Sequence, residues 1–378
     1  MRAMTKIKSI HLFIPNLDGG GAEKVILNLA QGFQRRGLDV SIVAAQAEGA
    51  FLKDIPNGVK FVDLQATFPV FVSKTLALKH HLQRTQPDVL LSTLDILGSA
   101  VLARNLAQVP TQVLMVVQTH LTQQFKDRHG LLMTRLKWFG VGQMYMRADA
   151  IAAASRGVAE DVAYHTQIPA KVIEVIYNPV LTYDFYDKAN QPVDHPWFMP
   201  GEPPVILGVG RLVKQKNFAT LIQAFARVRR QRPARLVILG DSDKREPLVK
   251  PQLQRMIQEL GLTEDVDLPG FVSNPYSYMA QANVFALSSI YEGFGNVVAE
   301  ALAAGTPVVS TNCPSGPAEI LDHGKYGNLV PVKDAPALAS AILMTLKQSP
   351  RPERLKQRAA DFSIDKVCDD YLRMLNRL

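Results

Sequence analysis

Short apolar runs of strand length alternate with longer amphipathic stretches along nearly the whole chain, and this alternation constrains the fold most strongly. In the first half the runs are SIHLFIP, DVSIVAA, VKFVDL, DVLLST, QVLMVVQ and AIAAAS. Apolar runs separated by helices are typical of buried parallel strands in βαβ units. The pattern therefore predicts an α/β fold built on doubly wound parallel sheets.

The alternation breaks near residue 180 and then resumes. The segment from 178 to 204 carries six prolines and little periodicity, as an interdomain connection would. Six further strand candidates follow: PVILGVG, RLVILGD, VDLPGF, NVFALSS, TPVVSTN and NLVPV. At 378 residues the chain is also about twice the usual domain size.

These observations predict two Rossmann-like domains that face each other, with a ligand cleft at the carboxyl ends of their strands. We place the first domain at 1–183, a linker at 184–203 and the second domain at 204–362. Residues 363–378 read as an amphipathic helix that returns to the first domain, with Ser363 as its cap.

Charge and cysteine usage limit the partners and the compartment. The formal net charge of +8 favours an anionic partner, which could be a phosphorylated small molecule, nucleic acid or a membrane surface. Cys313 and Cys368 lie far apart without metal-ligand spacing, which indicates reduced thiols in a cytosolic protein. No run of roughly 18 apolar residues occurs, so we expect any membrane contact to be peripheral. The histidines form no metal-ligand pattern, and we expect no metal.

Three glycines follow the first strand candidate. Gly19, Gly20 and Gly21 can turn the chain tightly and open backbone N–H groups to an anion at a helix N-terminus. Lys24 departs from the dinucleotide pattern Gly-x-Gly-x-x-Gly, so a nicotinamide site loses its main support. A permissive turn without a ligand explains the glycines equally well.

Two cations and one histidine also follow strand candidates. Arg211 and Lys216 come just after the first strand of the second half, where a forked guanidinium and a compact ammonium together suit a diphosphate. The alternative is a solvated basic loop, which the pattern favours somewhat less. His120 ends QVLMVVQTH, a position where open α/β sheets place ligand groups. An ordinary buried histidine is an equal alternative at that position.

Two carboxylates stand in the otherwise uncharged stretch EGFGNVVAEALAAGTPVV, 292 to 309. Glu292 lies in a predicted loop and Glu300 lies about 7 to 8 Å into a predicted helix over 295–305, because a helix rises about 1.5 Å per residue. The N–H groups of Phe294 to Asn296 lie between them at the positive helix end. A glycosidase also pairs two carboxylates, but the neighbouring Arg/Lys loop favours a nucleotide-sugar whose hydroxyl groups donate hydrogen bonds to the glutamates. A helix cap or an exposed charge explains either glutamate singly, but explains both less well.

Four motifs together carry a family resemblance: GGGAEKV (19–25), GRLVKQKN (210–217), PGF (269–271) and EGFGNVVAEALAAGTPVV (292–309). With them, the chain resembles the retaining glycosyltransferases of family 4, enzymes of the GT-B fold, over essentially its whole length. NCPSGPAEIL (312–321) further resembles bacterial members that build envelope polysaccharides on lipid carriers.

The resemblance implies a role for each matched residue. Arg211 and Lys216 would hold the donor diphosphate, Glu300 the ribose and Glu292 the transferred sugar, while His120 would approach the reacting carbon. The implied catalytic set is His120, Glu292, Arg211 and Lys216. The implied donor-binding set is Gly19, Gly20, Gly21, Arg211, Lys216, Gly270, Phe271, Glu292, Gly293, Phe294, Gly295, Asn296, Val297 and Glu300.

The resemblance also implies an activity. It is the metal-independent transfer of a hexosyl-type sugar, with retention, from a nucleotide-sugar such as a UDP- or GDP-sugar to a saccharide or lipid-linked saccharide. No bound cofactor and no nucleic-acid partner are expected. Two alternatives stay open, namely a nucleotide-sugar epimerase of GT-B architecture and a catalytically silent nucleotide-sugar-binding partner of another transferase.

A basic segment suggests a membrane partner as well. Between His120 and the sixth strand candidate stand Lys126, Arg128, Arg135, Lys137 and Arg147 among large apolar residues. Basic amphipathic segments lie on anionic interfaces, which would put the protein in the cytoplasm and peripherally at the inner face of the plasma membrane. A core-facing helix with a solvated basic side explains the same segment equally well.

Overall fold

The computed structural model describes residues 7–18, 20–95, 97–126, 138, 140–349 and 351–378. Contacts between Cα atoms divide the chain into two compact units. The first unit is Met1–Val180 with Ile364–Leu378, and the second is Leu181–Ser363. Each unit holds one parallel sheet with helices between its strands, which confirms the predicted α/β class with two Rossmann-like units.

The first unit is built on a seven-stranded parallel sheet in the order β3-β2-β1-β4-β5-β6-β7. Its strands are β1 Ser9–Ile14, β2 Asp39–Ala44, β3 Lys60–Asp63, β4 Val89–Thr93, β5 Gln112–Val117, β6 Ala150–Ala153 and β7 Ile173–Val175. Six of these strands match the predicted runs. The strand order reverses beside β1, which pairs with β2 on one side and with β4 on the other.

Helices cover the first sheet: α1 Gly21–Arg35, α2 Val70–Thr85, α3 Ser99–Ala107, α4 Leu121–Lys126 and α5 Arg156–Thr166. In α1 the side chains of Val25, Leu29 and Phe33 are buried at four-residue spacing, so one face of the helix packs inward. All five residues of β4 are buried, as expected for a central parallel strand covered on both faces.

The second unit has a six-stranded parallel sheet in the order β10-β9-β8-β11-β12-β13. Its strands are β8 Val205–Val209, β9 Arg235–Leu239, β10 Val266–Gly270, β11 Val284–Leu287, β12 Val308–Thr311 and β13 Asn328–Val330, all six within the predicted runs. Its helices are α6 Phe185–Ala189, α7 Phe218–Arg229, α8 Val249–Glu259, α9 Pro275–Gln281, α10 Asn296–Ala304, α11 Pro317–Ile320, α12 Ala335–Thr345 and α13 Pro352–Ala359. Here the strand order reverses between β8 and β11.

The segment predicted as a linker, 184–203, lies in the second unit and contains α6. Phe185 of this helix is fully buried, and its ring lies 4.5 Å from the ring of Tyr276 in α9. Phe198 packs edge-on against Tyr278 of the same helix at 5.2 Å. Aromatic side chains therefore tie this proline-rich segment to α9.

The last helix, α14 Ile364–Leu375, packs against α1 in the first unit. A Cβ at Gly32 would lie 2.4 Å from Sγ of Cys368, so the two helices meet closely only because residue 32 is glycine. Arg36 pairs with Asp365 at 3.2 Å and with Asp369 at 2.8 Å. The contact is therefore both packed and charge-paired.

Candidate active site

Arg211 follows β8 and pairs with a carboxylate that follows the neighbouring strand β9. Its Nη1 lies 2.8 Å from Oδ2 of Asp243, and about half of the Arg211 side chain stays exposed. Arg245 donates to both oxygens of Asp243. These hydrogen bonds from Arg245 hold the pKa of Asp243 well below its usual range, and the nearby Arg211 charge acts in the same direction. Asp243 therefore stays ionised and keeps Arg211 at the strand ends.

Lys216 forms a second ion pair at the carboxyl ends of the strands. Its Nζ lies 2.6 Å from Oε1 of Glu292, which follows β11, and the side chains are 17% and 8% exposed. Oε1 of Glu292 also accepts a hydrogen bond of 2.7 Å from Oγ of the buried Ser289. Within the described chain no hydrogen bond reaches Oε2 of Glu292. This oxygen can accept a hydrogen bond from a hydroxyl group.

The loop between β8 and α7 shapes the Lys216 side chain. A Cβ at Gly210 would lie 3.2 Å from Cε of Lys216, so the lysine runs closely over the glycine. Gly210 itself has φ of +156°, and the following loop ends in Asn217 before α7 begins at Phe218. Because β8 and β11 flank the reversal of strand order, Lys216 and Glu292 meet where doubly wound sheets bind ligands.

The predicted donor segment runs through the loop after β11 and into α10. It comprises Gly293 and Phe294 in the loop, Gly295 as the residue before the helix, and Asn296 and Val297 in the first turn. The Phe294 ring is buried and packs edge-on against Phe362 at 5.4 Å. The ring therefore belongs to the core, and only the Phe294 backbone is placed to meet a ligand.

Glu300 lies inside α10 and is 4% exposed. Glu292 is 6% exposed, so both predicted carboxylates are buried in the second unit. Buried carboxylates are rare in proteins unless a partner compensates them. Both glutamates are thus held in place by the fold and are not solvated surface charges.

Gly270 and Phe271 stand at the end of β10. Gly270 has φ of +90°, and Phe271 is 68% exposed. Like Arg211, these residues lie at the carboxyl ends of the strands, since all strands of the sheet are parallel. An exposed aromatic ring at this edge is available to a planar base.

In the first unit, the glycine loop follows β1 and leads into α1. Gly19 lies outside the described residues, while Gly20 precedes the helix and Gly21 is its first residue. The carboxylate of Glu23 folds back over the loop, since a Cβ at Gly20 would lie 2.5 Å from Oε2 of Glu23. An acidic side chain of the protein itself therefore occupies part of the helix N-terminus.

His120 lies between β5 and α4 with 14% of its side chain exposed, and Asp161 of α5 is its neighbour. Nδ1 of His120 is 3.3 Å from Oδ1 of Asp161, close enough for contact but not aligned as a hydrogen bond. Asp161 also accepts hydrogen bonds from the backbone N–H and the hydroxyl of Thr122 in the first turn of α4. Asp161 is a residue that the sequence patterns did not identify, because it lies mid-helix with no motif around it.

The sequence patterns also did not identify a second ion pair, Lys74 with Asp95, which lies after β4. Asp95 is 2% exposed and accepts a hydrogen bond of 2.9 Å from Nζ of Lys74 in α2. It also accepts from the Ser99 hydroxyl at 2.5 Å and from the Ala100 N–H at 2.8 Å. Asp95 lies two residues after the end of the parallel strand β4, so the strand-end position that singled out His120 also singles out Asp95.

Both cysteines are buried thiols. Burial raises the pKa of Cys313 to about 12, with the nearby Glu292 charge adding to the shift, and burial raises the pKa of Cys368 to about 12. The thiolate is the reactive form of cysteine. Neither residue is therefore a nucleophile at neutral pH.

A depression of about 570 Å³ lies on the other side of the second sheet, beside the amino ends of β12 and β13. Lys325, Tyr326 and Arg354 line it, and it includes none of the predicted donor-binding residues. Size alone does not locate the active site here, because the paired charges lie at the carboxyl ends of the strands.

The basic segment after His120 is only partly described. Arg128, Arg135 and Lys137 lie outside the described residues, and Lys126 is described only as the last residue of α4. Arg147 donates a hydrogen bond to the Gln143 carbonyl at 3.2 Å. In the part of the chain that is described, none of the helices combines the length and the apolar character needed to cross a bilayer.

Known proteins match both units. Residues 193–362 match the family of Glycosyl transferases group 1, and residues 19–182 match Glycosyltransferase Family 4. A Campylobacter jejuni protein named as an N-acetylgalactosamine-N,N'-diacetylbacillosaminyl-diphospho-undecaprenol 4-alpha-N-acetylgalactosaminyltransferase is 30% identical, over 98% of this chain and 100% of its own length. The lipopolysaccharide core biosynthesis glycosyltransferase LpsE of Rhizobium meliloti is 28% identical, over 94% of this chain and 96% of its own.

A solved structure shares the fold. Anabaena HepE in complex with UDP superimposes with a TM-score of 0.78 at 21% identity, covering 98% of this chain and 100% of the HepE chain. Full-length similarity to curated transferases, two family matches and two Rossmann-like units agree with one another. The chain belongs to the family 4 glycosyltransferases and has the GT-B fold.

Proposed function

We propose that the protein transfers a hexosyl sugar, with retention, from a UDP- or GDP-sugar to a hydroxyl of a lipid-linked saccharide. The Lys216–Glu292 pair carries this proposal. It joins a cation suited to a diphosphate with a carboxylate suited to sugar hydroxyls at the point where the strand order reverses. The HepE complex with UDP supports the donor class, and the name of the Campylobacter relative supports a saccharide on a lipid diphosphate as acceptor.

In this proposal the donor competes with protein carboxylates for two cations. Lys216 is paired with Glu292 and Arg211 with Asp243 before any ligand binds. A diphosphate brings two negative charges, so it can draw Arg211 and Lys216 into shared contacts while both acids stay ionised. Glu292 then offers Oε2 to a hydroxyl of the transferred sugar, and Glu300 serves the ribose.

The reaction we propose breaks the bond between the anomeric carbon and the donor phosphate oxygen. The phosphate leaves with the electron pair, and the acceptor oxygen bonds to the same face of that carbon. The acceptor proton passes to the leaving phosphate oxygen. Arg211 and Lys216 stabilise the negative charge that develops on the diphosphate, as preorganised electrostatics would. His120 contacts the transferred sugar in this scheme.

The test incubates the protein with UDP- and GDP-sugars and a short-chain lipid-diphosphate saccharide, and product linkages are read by NMR. The expected product keeps the anomeric configuration of the donor. An inverted product would contradict retention. Epimerised donor without acceptor would instead support the epimerase alternative, and donor binding without turnover would support the silent partner.

A further inference from the structure

The depression beside the amino ends of β12 and β13 has the size of a small-molecule site and lies apart from the proposed donor site. Its volume of about 570 Å³ falls within the roughly 300 to 1,000 Å³ that ligand sites occupy. Pro307, which lines it, follows the end of α10, whereas the donor segment lies at the start of that helix. The nine residues of α10 separate the two places by about 13 Å, at about 1.5 Å per residue.

Basic side chains line this depression. Lys325, Arg351 and Arg354 are among its lining residues, and none of the described lining residues is Asp or Glu. Thr345, the last residue of α12, and Arg351, just before α13, both line it, so a negative and a positive helix end offset each other there. The side chains therefore set the sign of the local potential, which is positive.

The acids closest to these cations in the sequence are already paired. They form the ion pairs Asp322–Lys325 at 3.1 Å, Glu353–Lys356 at 3.0 Å and Asp361–Arg358 at 2.8 Å. Arg354 donates to the Lys325 carbonyl at 3.1 Å, and among the described residues neither Arg351 nor Arg354 pairs with a carboxylate. Residues 347–358 contain five Lys or Arg and one Glu, a net charge of +4 out of the chain's +8. Two guanidinium groups at the start of α13 therefore remain without an acid.

Tyr326 gathers three cations around its ring. Nζ of Lys325 and Cζ of Arg354 lie 5.2 Å and 5.3 Å from the ring centroid, and Cζ of Arg358 lies 5.8 Å from it. Each cation is attracted to the aromatic ring, but the three like charges repel one another. An anion bound beside Tyr326 would relieve that repulsion.

We propose that the depression binds a small phosphorylated molecule through Arg351, Arg354 and Lys325. A guanidinium fork matches two phosphate oxygens, and an ammonium group adds a compact charge. The concave shape and limited volume suit a small molecule better than a macromolecular surface. The inference does not depend on the proposed function, because the depression contains none of the donor-binding residues.

Hydrogen exchange measured by mass spectrometry locates the site on the full chain. Inorganic pyrophosphate and a hexose monophosphate are the probes, and a neutral hexose is the negative control. Both probes should protect peptides covering 322–328 and 351–358. Protection confined to the donor segment, 292–300, would overturn the proposal, because the probes then bind only at the donor site. Absence of protection at saturating probe would overturn it as well.

Calorimetric titration with the hexose monophosphate measures what the arginines contribute. Arg351→Ala with Arg354→Ala should weaken binding at least about tenfold, because charge-assisted hydrogen bonds are about twice as strong as neutral ones. Arg227→Ala with Arg255→Ala removes two exposed arginines elsewhere in the second unit and should bind as wild type. Equal affinity of the Arg351, Arg354 variant and wild type would exclude this site.

Vesicle flotation separates a free phosphate ester from a lipid headgroup. We expect the soluble probes to bind whether or not phosphatidylglycerol vesicles are present. Vesicles that float wild type but not the Arg351→Ala, Arg354→Ala variant, while neither soluble probe binds, would overturn the proposal, since the phosphate then belongs to a membrane surface.

Discussion

Nζ of Lys216 lies 2.6 Å from Oε1 of Glu292, and the two side chains come from loops on either side of the reversal in strand order. The pair is largely shielded from water, so each charge depends on the other for compensation. The proposed donor diphosphate would share Lys216 with Glu292, so the carboxylate must stay close to the ammonium group. In the proposed function, the pair that stabilises the second unit is the same pair that binds the donor.

Removing one member of this pair should destabilise the protein more than removing both. We expect Lys216→Met or Glu292→Gln alone to lower the free energy of unfolding by about 3 kcal/mol, because a buried charge is left uncompensated. The double variant should lose less than either single variant, because no uncompensated buried charge is left. Urea unfolding measures this cycle. The exposed Lys356–Glu353 pair, at 3.0 Å, is the matched control and should contribute less than about 1 kcal/mol. Additive losses at Lys216 and Glu292 would contradict the coupling.

Glu292→Gln should also reduce transfer. We expect kcat to fall about 10²- to 10³-fold, the usual effect of losing one preorganised polar group in an active site. Steady-state transfer assays on folded protein measure the change. Glu353→Gln alters an exposed carboxylate of the same unit and should keep wild-type kcat. Equal rates for the two variants would remove Glu292 from the site.

Asp161 should act as a positioning residue for His120. Asp161→Asn is expected to lower kcat about 10- to 100-fold, since a misplaced group costs this much, while the Kd for the donor stays the same. Calorimetry gives the Kd, and ¹⁵N shifts of the His120 ring report its tautomer, which should change. Glu160→Gln, an exposed neighbour on α5, is the control. A variant with wild-type kcat and an unchanged His120 tautomer would show that Asp161 only caps α4.

Stability should fall with acidification because of a histidine pair in which His11 is buried. Nδ1 of His11 lies 2.9 Å from Nε2 of His81, and burial, with the His81 charge adding, lowers the pKa of His11 to about 4. Below pH 6.5 the unfolded chain binds a proton at His11 that the folded chain refuses, so stability declines from pH 6.5 down to about 4. The loss approaches about 3 kcal/mol, at about 1.4 kcal/mol per pKa unit.

Urea unfolding at several pH values checks this dependence. His11→Gln should reduce the slope between pH 6.5 and 4, and a smaller slope should remain because burial also lowers the pKa of His81. His80→Gln removes an exposed histidine next to His81 in α2 and should leave the slope unchanged. A slope that is unchanged in His11→Gln would assign the acid sensitivity to other groups.

The strands could be predicted from apolar runs alone, with one exception. β7 is three residues long, Ile173–Val175, and Glu174 interrupts it, so it presents no run. The sequence predicts α10 over 295–305, within one residue at each end of its observed span, Asn296–Ala304. The segment 184–203 lacks periodicity, and its packing depends on Phe185 and Tyr276, which are far apart in sequence.

The candidate site could be predicted as far as strand ends reveal it. Arg211, Lys216 and Glu292 all follow strands of one parallel sheet, so all three lie at the carboxyl ends of its strands. The partner of Arg211 is Asp243, and no motif marks it. Lys216 and Glu292 are 76 positions apart, so their direct pairing appears only in three dimensions. A sequence pattern names groups, whereas pairing depends on the register of whole strands.

Calorimetric titration of UDP- and GDP-sugars into wild type and Lys216→Met tests the donor site most directly. We expect one donor class to bind wild type and to bind Lys216→Met at least about tenfold more weakly, since a charged hydrogen bond contributes roughly 1.5 to 3 kcal/mol. Equal affinity of the two proteins for that donor, or no binding of any nucleotide-sugar to wild type, would contradict a donor site at Lys216 and Glu292.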